Sequence, residues 1–106
     1  MAAPQIDLSP SDFAARDPDA PVLDVRTPDE YAEGHVAGAV NVDVRDASFP
    51  DRVRALGLPA DGPVYLYCKS GGRSGQATVA LREMGHAGAL NAGGFADLAA
   101  AGAETA

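Results

Sequence analysis

The chain has 106 residues, 46% of them hydrophobic and 22% charged, which suits one globular domain and excludes wholesale disorder. Eight basic residues against fifteen acidic ones give a net charge of −7. That balance excludes general nucleic-acid binding and docking on an anionic membrane, both of which need a basic face. The single cysteine, Cys68, excludes an internal disulfide and a Cys-based zinc site, and it suits a reducing compartment. Met1 to Gln5 carries no basic leader followed by an apolar run, and no segment approaches the ~18 apolar residues of a membrane span. With the Ala- and Arg-rich bias, the expectation is a cytoplasmic, bacterial-type protein folded as one domain over 1–106, with its core over about 6–102.

In chain order, Ser9-Pro10-Ser11-Asp12 reads as a helix start, with Ser at the cap and Pro at the first helical position. Phe13 and Ala14 face inward from that short helix. Asp17 to Pro21 is a turn cluster. Val22-Leu23-Asp24-Val25 is a compact buried strand. Thr27-Pro28-Asp29-Glu30 repeats the helix-start grammar as a capping box, and Gly34 stops its helix. Val40-Asn41-Val42 is a second strand. Phe49, Val53 and Leu56 recur at helical spacing before Gly57. Pro63 to Tyr67 is the strongest strand and runs directly into Cys68. A polar, Gly-rich loop follows, and then a helix with Ala77, Ala80, Leu81 and Met84 on one face, ended by Gly85. Ala89-Leu90-Asn91 is a weak last strand. Gly93-Gly94 opens a final helix through Phe95 and Leu98, and Ala101 to Ala106 is expected to fray. Strands alternating with helices predict a parallel sheet covered on both faces.

The segment that carries chemistry is Cys68-Lys69-Ser70-Gly71-Gly72-Arg73-Ser74. A lone cysteine is by itself a small buried hydrophobe. Here it ends a buried strand, where open α/β sheets bind ligands. Gly71 and Gly72 allow successive backbone N–H groups to turn inward as an anion nest, and the next helix adds its positive end. Lys69, the only lysine, and Arg73 supply two cations. Such a setting favours thiolate over thiol. Other motifs fail. There is no Walker phosphate loop and no G-x-S-x-G elbow. His35 and His86 are too few for a metal site and are read as structural, so no metal and no cofactor are expected. Asp24, Arg26 and Glu30 read as a structural charge cluster near the strand end; the functional alternative is that they support the loop, a role assigned to Asp24 and Arg26.

Leu23-Asp24-Val25-Arg26, Glu30-Tyr31 and Gly34-His35-Val36-Ala37-Gly38-Ala39-Val40-Asn41-Val42 resemble the N-terminal signature of the rhodanese-like domain family. Cys68 to Ser74 is similar to that family's active-site loop, and Leu81 to Gly85 with Gly93-Gly94 resembles its C-terminal half. The resemblance runs from about Ile6 to Gly102. It implies a three-layer α/β/α sandwich around a central five-stranded parallel β-sheet. It also implies a thiosulfate sulfurtransferase in which Cys68 attacks the sulfane sulfur of a donor such as thiosulfate. The Cys68 persulfide then hands its sulfur to cyanide, a thiol or a protein acceptor. In that reading the backbone of residues 69–73 cradles the donor, Lys69 and Arg73 attract it, Ser70 donates hydrogen bonds and Ser74 caps the helix. Cys68 to Arg73 spans six residues, one fewer than in the related phosphatases and arsenate reductases, which argues against those activities. A persulfide carrier serving one dedicated partner is the alternative. The chain is expected to be a monomer or weak homodimer. It departs from the family pattern at Asp43, His86 and Leu98, changes that bear on packing and acceptor choice more than on the loop.

Overall fold

The computed structural model describes residues 5–106, so the leader-free reading of Met1–Pro4 lies outside it. The elements are α1 (Pro10–Ala14), β1 (Val22–Asp24), α2 (Pro28–Glu33), β2 (Val40–Asn41), α3 (Phe49–Ala55), β3 (Val64–Cys68), α4 (Gly72–Glu83), β4 (Ala89–Gly94) and α5 (Phe95–Ala100). The starts of α1 and α2 form as their sequences predict. Ser9 caps α1 through the Asp12 N–H, and Thr27 and Glu30 close a capping box on α2, each with Pro in the first turn.

Parallel strands pair in the order β2-β1-β3-β4. Side chains alternate across β3 and so define two cores. Val64, Leu66 and Cys68 pack with Leu23, Val25, Phe49, Val53, Ala77 and Leu81, beneath α3 and α4. Tyr65 and Tyr67 pack on the other face with Phe13, Val36, Ala92 and Leu98, beneath α1 and α5. The result is the expected α/β/α layering. Leu98 is fully buried and fills its site in α5, whereas Leu56 lies exposed at the end of α3.

Two expectations are corrected. Among the described residues the sheet has four strands, not five. The N-terminal segment does run beside β4, and the Asp7 N–H donates to the Asn91 carbonyl at 2.8 Å. The return bond from the Asn91 N–H goes to the Asp7 side-chain carboxylate at 2.7 Å instead of a backbone carbonyl. A carboxylate thus takes the place of the strand's own acceptor, and no ladder forms there. The C-terminal tail, in turn, does not fray. Val36 bridges Thr105, and the Ala37 N–H donates to the Glu104 carbonyl at 2.8 Å. Ala103 is buried against the α5 side of the core, which secures the tail by burial as well as by hydrogen bonds.

Candidate active site

β3 delivers Cys68 to the C-terminal edge of the sheet, and the next three residues turn the chain into α4. Gly71 stands at the N-cap with φ of 98°, the left-handed region that glycine enters at no steric cost. The turn brings the Gly71 N–H to 3.0 Å from Cys68 Sγ. It also starts α4 at Gly72, earlier than expected, so Ser74 lies inside the first turn and is not its cap. From there Ser74 Oγ stands 3.3 Å from Cys68 Sγ and 2.7 Å from Asn91 Oδ1. The first N–H groups of α4 lack intrahelical partners and add positive potential at the sulfur.

Cys68 is only 1% exposed. Burial pushes its thiol up, but the hydrogen bonds from Ser74 Oγ and from the backbone N–H groups of Ser74, Ser70 and Gly71 outweigh that. The thiol is thereby held below its ordinary value. Donors aimed at the sulfur, more than nearby cations, favour the thiolate.

The two loop cations differ. Arg73 makes a two-pronged pair with Glu30, at 2.7 Å and 3.0 Å. Glu30 Oε1 also accepts from the Thr27 N–H and hydroxyl, so the capping box of α2 anchors the start of α4. The Arg73 bond holds the Glu30 carboxyl at about 2, against its ordinary 4.5. Lys69 is exposed and has no ion-pair partner among the described residues. It lines a cleft of about 340 Å³ with Arg26, Glu30, Glu33, Phe95 and Ala96. Ser70 is likewise exposed on the loop.

Asp24, Arg26 and Glu30 therefore do not form one cluster. Asp24 and Arg26 pair under the loop at 2.6 Å, and the Arg26 side chain also donates to the Gly34 carbonyl and stacks 4.8 Å from the Phe95 ring. The Tyr67 hydroxyl donates to Asp24 Oδ2 at 2.8 Å and accepts from the Val36 N–H at 2.9 Å. Burial pushes the Tyr67 phenol up, so it stays a donor. This network fixes the residue immediately before Cys68.

Asn91 is the residue that sequence reasoning missed. It is 1% exposed, and its amide N–H groups donate to the Gln5 carbonyl at 2.7 Å and the Gly71 carbonyl at 3.0 Å. Its only signal in the sequence is an amide set between Leu90 and Ala92 in a strand otherwise apolar up to its glycines. His35 and His86 take the structural roles expected of them. His35 Nδ1 lies 2.8 Å from the Tyr31 carbonyl, and His86 Nδ1 lies 3.3 Å from the Pro59 carbonyl. Among the described residues no group of side chains is arranged to hold a metal, and no helix is long and apolar enough to cross a membrane.

Comparison with known proteins agrees with this architecture. Residues 9–101 match the family model of the Rhodanese-like domain. Thiosulfate sulfurtransferase PspE of Escherichia coli (strain K12) is 38% identical over 77 residues, a match covering 73% of this chain and 72% of that protein. The uncharacterized protein YqhL of Bacillus subtilis (strain 168) is 37% identical over 78 residues, covering 74% of this chain but only 59% of its own length. The solution structure of a Rhodanese-like domain from Anabaena sp superposes with a TM-score of 0.82 at 25% identity, over 96% of this chain and 79% of that one. The chain belongs to the Rhodanese-like domain family.

Proposed function

We propose that the protein is a sulfurtransferase that moves sulfane sulfur from a donor such as thiosulfate to cyanide, a thiol or a protein acceptor through a persulfide on Cys68. The observation that carries this reading is the cradle at Cys68. A buried sulfur at a strand end faces the Gly71 N–H at 3.0 Å, with the Ser74 hydroxyl at 3.3 Å. Oriented donors around a sulfur stabilise its anion and offer hydrogen bonds to whatever anion replaces it.

The chemistry runs in two halves. The Cys68 thiolate attacks the terminal sulfur of thiosulfate, a new S–S bond forms at Cys68, and the old S–S bond breaks with its electron pair leaving on sulfite. An acceptor then attacks the outer sulfur of the persulfide, and the electron pair of that bond returns to Cys68 as thiolate. No proton, metal or redox cofactor is needed to balance either half. The deep placement of Cys68 suits donors that project a terminal sulfur atom. Lys69, exposed beside the cleft and without an ion-pair partner among the described residues, is the loop cation open to an approaching anion. Arg73, committed to Glu30, serves mainly to hold α4 and the loop in place while keeping positive charge near the sulfur.

The six-residue span from Cys68 to Arg73 favours sulfur transfer over phosphate-ester hydrolysis. Steady-state assays with thiosulfate and cyanide test the reading. Thiocyanate release with parallel double-reciprocal lines is expected, and Cys68→Ser should abolish it while staying folded. Turnover retained in Cys68→Ser, or none with any sulfane donor, would overturn it.

A further inference from the structure

Ser74 has one hydroxyl proton and two neighbours that want it. Asn91 Oδ1 lies 2.7 Å away and Cys68 Sγ 3.3 Å away. The orientation of the Asn91 amide is fixed by its surroundings, because its nitrogen faces two carbonyls, those of Gln5 and Gly71. Its oxygen therefore faces Ser74 and the Gly93 N–H, which stands 3.0 Å away. An amide oxygen carries no proton, so Ser74 must be the donor in the Ser74–Asn91 bond. While that bond is made, the Ser74 hydroxyl has nothing to give the sulfur and can only accept from a thiol S–H, although the Ser74 backbone N–H still donates to it.

We propose that Asn91 is a positioning residue for the Cys68 sulfur, competing with it for the Ser74 proton so that the hydroxyl turns to Cys68 only when the sulfur is a thiolate. The turn is a rotation about one bond. It leaves Asn91 Oδ1 with the Gly93 N–H as partner, so no buried acceptor is orphaned. When Cys68 is loaded, the inner sulfur is neutral and the hydroxyl swings back to Asn91. Asn91 thus favours the thiol and persulfide over the bare thiolate, and it damps the reactivity of the empty site towards oxidants and alkylating agents. The inference rests on Cys68 being the reacting group.

The charged groups around the loop are Lys69, Arg73 on α4 with Glu30 of α2 behind it, Asp43 beyond β2, and the buried Asp24–Arg26 pair. Asp7, paired with Arg82 of α4 at 3.3 Å, meets the Asn91 backbone N–H. None of them bonds the Asn91 side chain or Ser74 Oγ, so all are retained in the variants below.

The test reads the sulfur directly by the pH dependence of iodoacetamide alkylation, with no sulfur transfer required. A failed transfer assay would therefore not be confused with a failed proposal. Asn91→Ala releases the Ser74 proton, and alkylation below the Cys68 inflection should rise about two- to tenfold, the worth of one neutral hydrogen bond. In a Ser74→Ala background the same change should have no such effect. A residue that merely props up the loop would act oppositely, because freeing Gly71 weakens its N–H bond to the sulfur and slows alkylation. Slower or unchanged alkylation in Asn91→Ala, or an equal gain in both backgrounds, overturns the proposal. If Asn91→Ala does not fold, the wild-type protein supplies the measurement. The carboxamide NMR signals of Asn91 should titrate with the Cys68 midpoint, and in Ser74→Ala that shift should collapse. Signals that stay still, or move alike in both proteins, contradict it.

Discussion

Gly94, where β4 passes into α5, touches the loop after Cys68 more closely than any side chain would permit. A Cβ at this position would stand 2.5 Å from the Lys69 carbonyl oxygen, 3.2 Å from its carbon and 3.4 Å from Ser70 Cα. Gly94 has φ of −104° and ψ of 142°, which any residue adopts, so Gly94→Ala perturbs by contact alone. To restore an ordinary contact the Lys69 carbonyl must retreat by about 0.9 Å, and the backbone that aims donors at Cys68 moves with it. Overpacking of this kind costs about 1–3 kcal/mol of stability. A misplacement of about 1 Å in a reacting site costs up to about a hundredfold in rate. The expected outcome is a folded protein whose transfer rate falls about ten- to a hundredfold, measured by thiocyanate release alongside thermal unfolding. Gly88→Ala is the control. Its Cβ would overlap the Gly62 carbonyl oxygen, at the opposite end of the sheet, so it should destabilise while sparing the rate per folded molecule. Wild-type rates in Gly94→Ala, or an equal loss of rate in folded Gly88→Ala, would show that the close approach of Gly94 does not shape the loop.

Asp24→Ala should destabilise by about 3–5 kcal/mol in chemical denaturation, because it strands the Arg26 charge inside the protein; a loss below about 1 kcal/mol would show that the pair is dispensable. Glu30 has a folded pKa of about 2 against 4.5, so its contribution to stability is fully present above 4.5 and is lost as pH falls towards 2. Unfolding midpoints of the wild type should therefore drop over that window, and Glu30→Gln should flatten part of the slope; identical slopes would contradict the Arg73–Glu30 pair. The Cys68 thiol is held below its ordinary value, so alkylation should rise with pH through an inflection below 9.0, and Ser74→Ala should move that inflection upward. An inflection at or above 9.0 in the wild type would show that the cradle does not act on the sulfur.

Much of this fold is legible because its signals are local. Pro10 after Ser9, and the Thr27–Glu30 capping box, specify helix starts within four residues of chain. The run from Val64 to Tyr67, with Cys68 at its end and two glycines soon after, places the candidate cysteine at a strand end before any tertiary contact is known. What stayed hidden depends on pairings across the chain. Glu30 looks like a partner for Arg26 from four residues away, yet it meets Arg73, because the sheet order sets α2 beside the start of α4. Ser74 looks like a cap, but Gly71 in a left-handed conformation begins the helix first and turns the Ser74 hydroxyl inward. Asn91 reads as one polar residue in a weak strand; its side chain's four hydrogen bonds go to Gln5, Gly71, Ser74 and Gly93, three of which its own neighbourhood in sequence does not contain. For a similar reason no fifth strand joins the sheet among the described residues, since the Asp7 carboxylate takes the Asn91 N–H that a backbone carbonyl would have accepted.

Whether Cys68 carries sulfur is read from the intact mass of the purified protein after incubation with thiosulfate. A gain of one sulfur atom is predicted, removed by cyanide and missing in Cys68→Ser. An unchanged mass with thiosulfate and with other sulfane donors, or an equal gain in Cys68→Ser, would contradict it.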